Sequence, residues 1–423
     1  MHDVIVVGGG PGGTTAASLL ARDGFSVLLL EREKFPRFQI GESLLPYGND
    51  LFDRLGVTDQ LSTGDFFPKY GAEFVTGTGE IAYTFRFDRN LSAPYDHSFQ
   101  VKRSELDHLL LRNAAKLGVE VREEVTVTGA VLDDPDHVIV SALRRDGGEE
   151  RIEGRFVIDA SGHGCALGGR MAGKTPLASL KKIAVFAHYR NVPRKEGRDA
   201  GNTVVVVLRN AWIWMIPITK ELMSVGLVVD RDHVLRCGLE PEELLARTIA
   251  GTPHIAARMK SAERDTPVYT RKDFSYRMQR LTDRNFALVG DAAGFLDPIF
   301  STGVFMAMKS GDLVAAAVSA RLRTGSMTLL KRYESGMQQA LEKYLRFIDS
   351  FYRREFLEVF MQPHPRFGLI RAIVGVLAGN IFAERTNRLK LGLFFALVRL
   401  QKASGLIAPR IAWDRLPAAA SSP

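Results

Sequence analysis

The sequence predicts an α/β protein. In it, a Rossmann-like dinucleotide-binding domain is interleaved with a mostly antiparallel β-sheet domain and followed by a helical C-terminal region. Three observations predict it. The chain opens with strand, glycine turn, helix, strand and acid inside about thirty residues. Its middle is a series of short β-branched and aromatic segments, and from Thr328 onward apolar residues recur at helical spacing.

The opening unit carries the cofactor chemistry. Val4 to Val7 is a continuous apolar run, the pattern of a parallel strand buried on both faces. It leads into Gly8-Gly9-Gly10-Pro11-Gly12-Gly13, which reads G-x-G-x-x-G at Gly8, Gly10 and Gly13. Thr14 to Ala21 continues as a helix, and Ser26 to Leu30 is a second strand ending at Glu31. In this context Gly8 makes the tight turn. Gly10 lets the backbone approach a pyrophosphate on the positive end of the helix dipole, and Glu31 accepts hydrogen bonds from a ribose. Pro11, Gly12, Gly13 and Arg32 join them as cofactor-binding candidates.

Tyr70–Phe74, Ile81–Phe87, Ile183–Tyr189, Thr203–Arg209, Trp212–Pro217 and Met223–Val229 read as strands of the interleaved sheet. Asp146-Gly147-Gly148 reads as a hairpin turn before a strand ending at Asp159. Leu341, Tyr344, Leu345, Ile348, Phe351 and Tyr352 mark a helix, with Pro363 and Pro365 separating it from a further amphipathic region. Residues 1–66, 101–180 and 276–325 are assigned to the cofactor domain, 67–100 and 181–275 to the interleaved sheet, and 326–423 to the helical region. Pro417 to Pro423 are expected to be disordered.

Composition narrows the class. An apolar share of 46% with 25% charged residues is that of a soluble globular protein. The net charge of +8 is spread along the chain without an arginine-rich tract, which argues against nucleic acid and suits an anionic cofactor or an acidic protein partner. The apolar stretches Gly368–Phe382 and Leu391–Leu400 are short or interrupted by Arg371 and Arg399, so no membrane span is expected. The first residues already read as a strand, so no signal peptide is expected. Cys165 and Cys237 alone supply neither a disulfide framework nor a metal cluster, and a reducing cytoplasm is the expected setting.

Arg155–Gly162, Phe286–Gly294 and Gln100–Asp107 resemble the FAD-binding fold of the aromatic hydroxylase and geranylgeranyl reductase superfamily, over roughly Met1 to Ser310. The resemblance implies FAD as cofactor, with Asp291 at the ribityl chain and Arg103 near the pyrophosphate. No second glycine fingerprint follows a strand, so reduced flavin is expected from a separate flavin reductase.

Trp212-Ile213-Trp214-Met215-Ile216-Pro217 reads W-x-W-x-I-P, and Phe295 to Gly303 reads F-x-x-P-x-x-S-x-G. Alone, the first is one face of a buried strand, the second a turn before a helix, and Lys69 in Phe66–Ala72 a surface lysine at a strand start. Together they are similar to segments of the flavin-dependent halogenases. That resemblance implies an enzyme using reduced FAD, oxygen and halide. Lys69 and Ser301 would be catalytic, and Thr302 and Gly303 would bind halide, Gly303 also facing the flavin. Trp212, Trp214 and Pro217 would form a substrate wall, and Ser43, within Phe35–Pro46, would lie beside the cofactor. One departure stands out: Phe300 occupies the place of a glutamate in the tryptophan halogenases. The match therefore moves toward enzymes of phenolic, pyrrolic or carrier-tethered substrates, with an acyl or peptidyl carrier protein as partner. The alternatives on the same fold are a monooxygenase or a geranylgeranyl reductase-like enzyme, and a flavin-binding protein without turnover.

Overall fold

The computed structural model describes residues 1–272, 274–363, 368–382 and 385–420. Its first sheet runs Glu120–Arg122, Val27–Leu30, His2–Val7, Glu149–Asp159, His137–Arg144 and Val125–Asp134, with Phe286–Leu288 beside Glu149–Asp159. The first four of these and Phe286–Leu288 pair in parallel, and the last two strands add an antiparallel flap. Val4, Ile5, Val6, Leu28, Leu29, Val157 and Ile158 are fully buried, as their unbroken apolar runs require. The hairpin at Asp146-Gly147-Gly148 is present, with Gly147 at a φ of 85°. The helices Pro11–Arg22 and Gly303–Thr324 pack together beside this sheet. Gly303–Thr324 is long and apolar enough to cross a membrane, but 67% of its apolar window is buried inside the protein, as in a core helix.

The second sheet has the order Glu263–Arg264, Lys182–Arg190, Leu222–Asp230, Ala211–Pro217, Thr203–Val207, Gly71–Thr76 and Ala82–Arg86, with Tyr269–Lys272 also on Lys182–Arg190. All its pairs are antiparallel except Thr203–Val207 with Gly71–Thr76. Alternation decides its faces. Phe186, Gly226, Trp214, Val205 and Phe74 form one cross-strand row of the large core, while Ile213, Val225 and Leu227 face a second core with Leu244 and Ile249. Gly226 is required in that row because the Trp214 indole lies where its Cβ would stand. The short ribbon Phe67–Lys69 with Ser98–Gln100 joins the two sheets' territories.

The tail comprises Thr328–Phe351, Arg354–Met361, Leu369–Leu377 and Arg385–Ser404. The first helix ends at Phe351, ahead of the prolines, because Arg353 turns extended. Pro363 follows the next helix, and Pro365 lies outside the described residues. The expected disorder from Pro417 is corrected: the Arg209 amide donates to Pro417 O (2.9 Å), and the Ala419 and Ala420 amides donate to Asn210 Oδ1 and Thr248 Oγ1. Small alanines let this segment lie flat and bury Ala419 against the second sheet, a contact composition does not reveal. Residues 421–423 lie outside the described residues.

Candidate active site

The carboxyl ends of the parallel strands converge on the glycine turn, where doubly wound sheets place ligands. Gly8 has a φ of 108°, and a Cβ there would meet Ala160 O at 2.5 Å. A Cβ on Gly13 would collide with Gly8 O, and one on Gly12 would press Val289 at 2.8 Å. Gly10 differs: its nearest neighbour would be an Arg37 nitrogen at 3.7 Å, so the space before it is open. Pro11 follows as the first helical residue, where its missing N–H costs nothing. The buried Glu31 carboxylate accepts the Gly9 amide at 2.7 Å and the Glu33 amide at 2.9 Å, bracing the turn. Arg32 is exposed and reaches toward Glu33.

Arg103 is buried and grips Asp107 with two nitrogens (2.8 and 2.9 Å), while Arg37 donates at 3.0 Å to Asp107 Oδ2, an oxygen it shares with Arg103. The carboxylates of Asp107, Asp291 and Glu42 keep the Arg103 guanidinium above its ordinary pKa against the desolvation of burial. Asp291 lies in the turn after Phe286–Leu288, its carboxylate 3.1 Å from His163 Nδ1 and part exposed. A glycine cradle open at Gly10, a helix start, and flanking Asp291, Arg103 and Glu31 fit the pyrophosphate, ribityl and ribose of FAD.

Lys69 ends the ribbon strand with a side chain only 2% exposed. Its Nζ donates to Ser43 Oγ (2.9 Å) and Leu44 O (3.0 Å) and lies 5.5 Å from the Phe87 ring centroid. No carboxylate pairs with it among the described residues, and burial pulls its pKa down to about 7. Ser43 shares a 2.9 Å hydrogen bond with Thr203 Oγ1, to which Gln100 Nε2 also donates. Ser43 is thus brought to Lys69 and the second sheet.

The segment after Asp291 delivers the second half. Asp297 Oδ1 accepts the Ile299 amide at 3.0 Å and caps the short turn Pro298–Phe300. Ser301 follows in the left-handed region at a φ of 56°, a strained setting for a non-glycine residue. Gly303–Thr324 then starts with no side-chain cap at Thr302, and among the described residues no carbonyl takes the Thr302 or Gly303 amide. These donors sit at the positive end of a long helix.

Trp212 and Trp214 share a face, their centroids 5.8 Å apart. Trp214 Nε1 donates to Ser224 Oγ at 3.0 Å, and Trp212 Nε1 donates to Tyr352 Oη at 3.0 Å. Tyr352 Oη in turn donates to Asp297 Oδ2 at 2.8 Å. Burial raises the Asp297 pKa to about 6. Pro217 closes this buried strand opposite Met223. Phe300 packs edge-on against Phe347 and Phe351.

Two acids of this region are not foreseen by the motif reading. Asp297 lies within the Phe295–Gly303 motif, immediately before its proline, which is the signal that could have singled it out. Glu42, beside Ser43, binds His188 Nε2 at 2.6 Å, both side chains buried, and its second oxygen has no partner among the described residues. Nothing local marks His188, which sits in an ordinary strand.

The fold and its cradle define an FAD-dependent oxidoreductase, and comparison with known proteins narrows it. The family described as Tryptophan halogenase matches residues 3–92 and 86–356. The chain is 29% identical to the 1H-pyrrole-2-carbonyl-[peptidyl-carrier protein] chlorinase of Pseudomonas fluorescens, over 91% of this chain and 90% of that protein. Among solved structures, the myxobacterial chondrochloren halogenase, an FAD-dependent halogenase, is similar at 32% identity and a TM-score of 0.79, over 93% of this chain and 97% of that one. A flavoprotein/dehydrogenase from Cytophaga hutchinsonii is similar at 32% identity and a TM-score of 0.88, over 95% and 100%. The chain belongs to the flavin-dependent halogenase family. It is an FAD-dependent enzyme of the halogenase class.

Proposed function

We propose that this halogenase acts on an electron-rich aromatic group, a pyrrole or phenol, presented as a thioester on a carrier protein. The nearly full-length likeness to a carrier-dependent pyrrole chlorinase, the net charge of +8 and Phe300 immediately before Ser301 support this reading. Bound and reduced, FAD would supply the two electrons that bring oxygen to the peroxide level, from which halide, giving two more, is oxidised. Its reduction is assigned to a separate flavin reductase.

Halide is assigned to the Thr302 and Gly303 amides, with Ser301 holding the turn that aims them. Gly8, Gly10, Pro11, Gly12, Gly13, Glu31, Arg32, Arg103 and Asp291 hold the cofactor, and the Trp212–Trp214–Pro217 strand keeps the aromatic substrate apart from it.

The observation that carries the proposal is the state of Lys69. An amine buried among neutral acceptors, with its pKa drawn to about 7, is substantially uncharged at neutral pH. A neutral amine has two hydrogens, which Ser43 Oγ and Leu44 O accept, and a lone pair left over. That lone pair attacks the halogen of hypohalous acid, whose hydroxide leaves with one N–H proton as water; the aromatic carbon then takes the halogen from nitrogen and its displaced proton restores the amine. The experiment is mass spectrometry of products formed with reduced FAD, chloride or bromide, and free or carrier-loaded pyrrole-2-carboxylate. Halide incorporation into the loaded carrier supports the reading, and hydroxylated or reduced product without halogen overturns it.

A further inference from the structure

The helix Arg385–Ser404 has two unlike faces. Inward, Phe394 and Phe395 pack on Phe347 and Phe356, and Gln401 ties the helix to Glu358 (2.7 Å) and to the amides of Ile407 and Ala408. This face is a finished protein interior. Outward, Leu389, Leu393 and Leu400 are 77%, 40% and 52% exposed, with half-buried Leu397 between them, and Leu406 just beyond is 85% exposed. Positions 389, 393, 397 and 400 fall on one stripe of a helix.

Single exposed leucines are ordinary, but a stripe of them on an otherwise docked helix is a surface built for contact. Its charge is one-sided. The helix contains Arg385, Arg388, Lys390, Arg399 and Lys402 and no aspartate or glutamate. Arg399 is exposed beside the stripe and Lys390 half-buried next to Leu389 and Leu393, while Lys402 lies on the far side of the helix, 4.0 Å from Glu355.

We propose that this outer face is where the substrate-bearing carrier docks: a small acidic protein whose apolar helix lies along the Leu389–Leu400 stripe, with its carboxylates against Lys390 and Arg399. The assignment rests on the carrier-tethered reading above. Charge complementarity selects this partner, since a helix that sets Lys390 and Arg399 beside the stripe and carries no carboxylate of its own repels a second copy of itself.

The test uses the full-length FAD-loaded enzyme and a peptidyl carrier protein loaded with pyrrole-2-carbonyl. Binding is followed by fluorescence anisotropy of a labelled carrier, beside turnover of free pyrrole-2-carboxylate. Leu393→Ser and Arg399→Glu, singly and together, keep the buried face intact. The double variant is expected to weaken carrier binding roughly tenfold or more. Free-substrate turnover and FAD affinity should be unchanged, and wild-type binding should weaken with salt. Unchanged carrier affinity in the double variant, with wild type binding well, overturns the docking site and leaves the substrate reading intact. A wild type that halogenates free pyrrole but neither binds nor uses the carrier overturns both. Preferential binding to phosphatidylglycerol vesicles, or self-association lost in Leu393→Ser, assigns the stripe to a lipid surface or a second copy and also overturns the proposal.

Discussion

Lys69 Nζ lies 2.9 Å from Ser43 Oγ, so the buried amine is held by the same segment that passes Arg103 through Ile40 and Gly41. The proposed cofactor side and the proposed substrate side are therefore connected through about five consecutive residues, Ile40 to Leu44. The consequences can each be measured.

Gly10→Val should remove FAD without harming the fold. A Cβ at Gly10 meets nothing closer than an Arg37 nitrogen at 3.7 Å, so the added side chain enters the space assigned to the cofactor. Titration of apoprotein with FAD should show affinity reduced by roughly a hundredfold or more, while the apoprotein melts where wild-type apoprotein does. Full FAD affinity in a folded variant would mean the pyrophosphate lies elsewhere.

Gly303→Asp places a carboxylate where halide is assigned. Its Cβ would meet Phe295 Cε2 at 3.4 Å, an ordinary contact, so the helix should form. The halide KM should rise roughly tenfold or more through charge repulsion, with FAD still bound. An unchanged halide KM would move the halide site.

Asp297 should make stability depend on pH. Burial lifts its pKa to about 6, so the native state holds that proton more tightly than the unfolded chain does. Native stability from this group therefore rises as pH falls through about 6 toward the ordinary aspartate value. Asp297→Asn removes the titration. Its stability relative to wild type should be greater at about pH 8 than at about pH 4, by up to about 3 kcal/mol. Parallel denaturation profiles across that range would contradict the assignment.

Lys69 should show the opposite dependence. Its pKa is pulled below that of a free lysine, so the penalty for burying it is full below about pH 7 and fades as pH rises toward 10. Lys69→Met should be stabilised relative to wild type by up to about 5 kcal/mol near pH 6, less the hydrogen bonds to Ser43 and Leu44, with the advantage shrinking at higher pH. Denaturant titrations at several pH values check this. A constant difference would mean that the buried amine does not titrate.

The local parts of this molecule were readable from residues alone. The strand, glycine turn and helix from Val4 to Ala21 form a unit closed within itself, so apolar runs and glycine placement specify it. The Trp212–Pro217 strand announces itself by alternation. What could not be read are contacts between residues far apart in the chain. Tyr352 appeared only as a helix-stripe aromatic, yet its hydroxyl joins Trp212 to Asp297 across 140 and 55 residues. The burial of Lys69 depends on Phe87 and Leu44, neither of which marks it in sequence. Ala419 looked like part of a loose end because alanine carries no signal of what its amide will meet.

The most direct test of the account is Lys69→Ala followed in one experiment for FAD binding, reaction of the reduced enzyme with oxygen, and halogenated product. With Lys69 on the substrate side, as proposed, FAD affinity and flavin reoxidation should stay near wild type while product formation falls by about a hundredfold or more, chiefly in kcat. Lys69→Arg should not restore it, because a guanidinium stays charged and offers no lone pair. In wild type the product rate should rise with pH through about 7 as the amine loses its proton. Near wild-type halogenation without Lys69 would contradict the account.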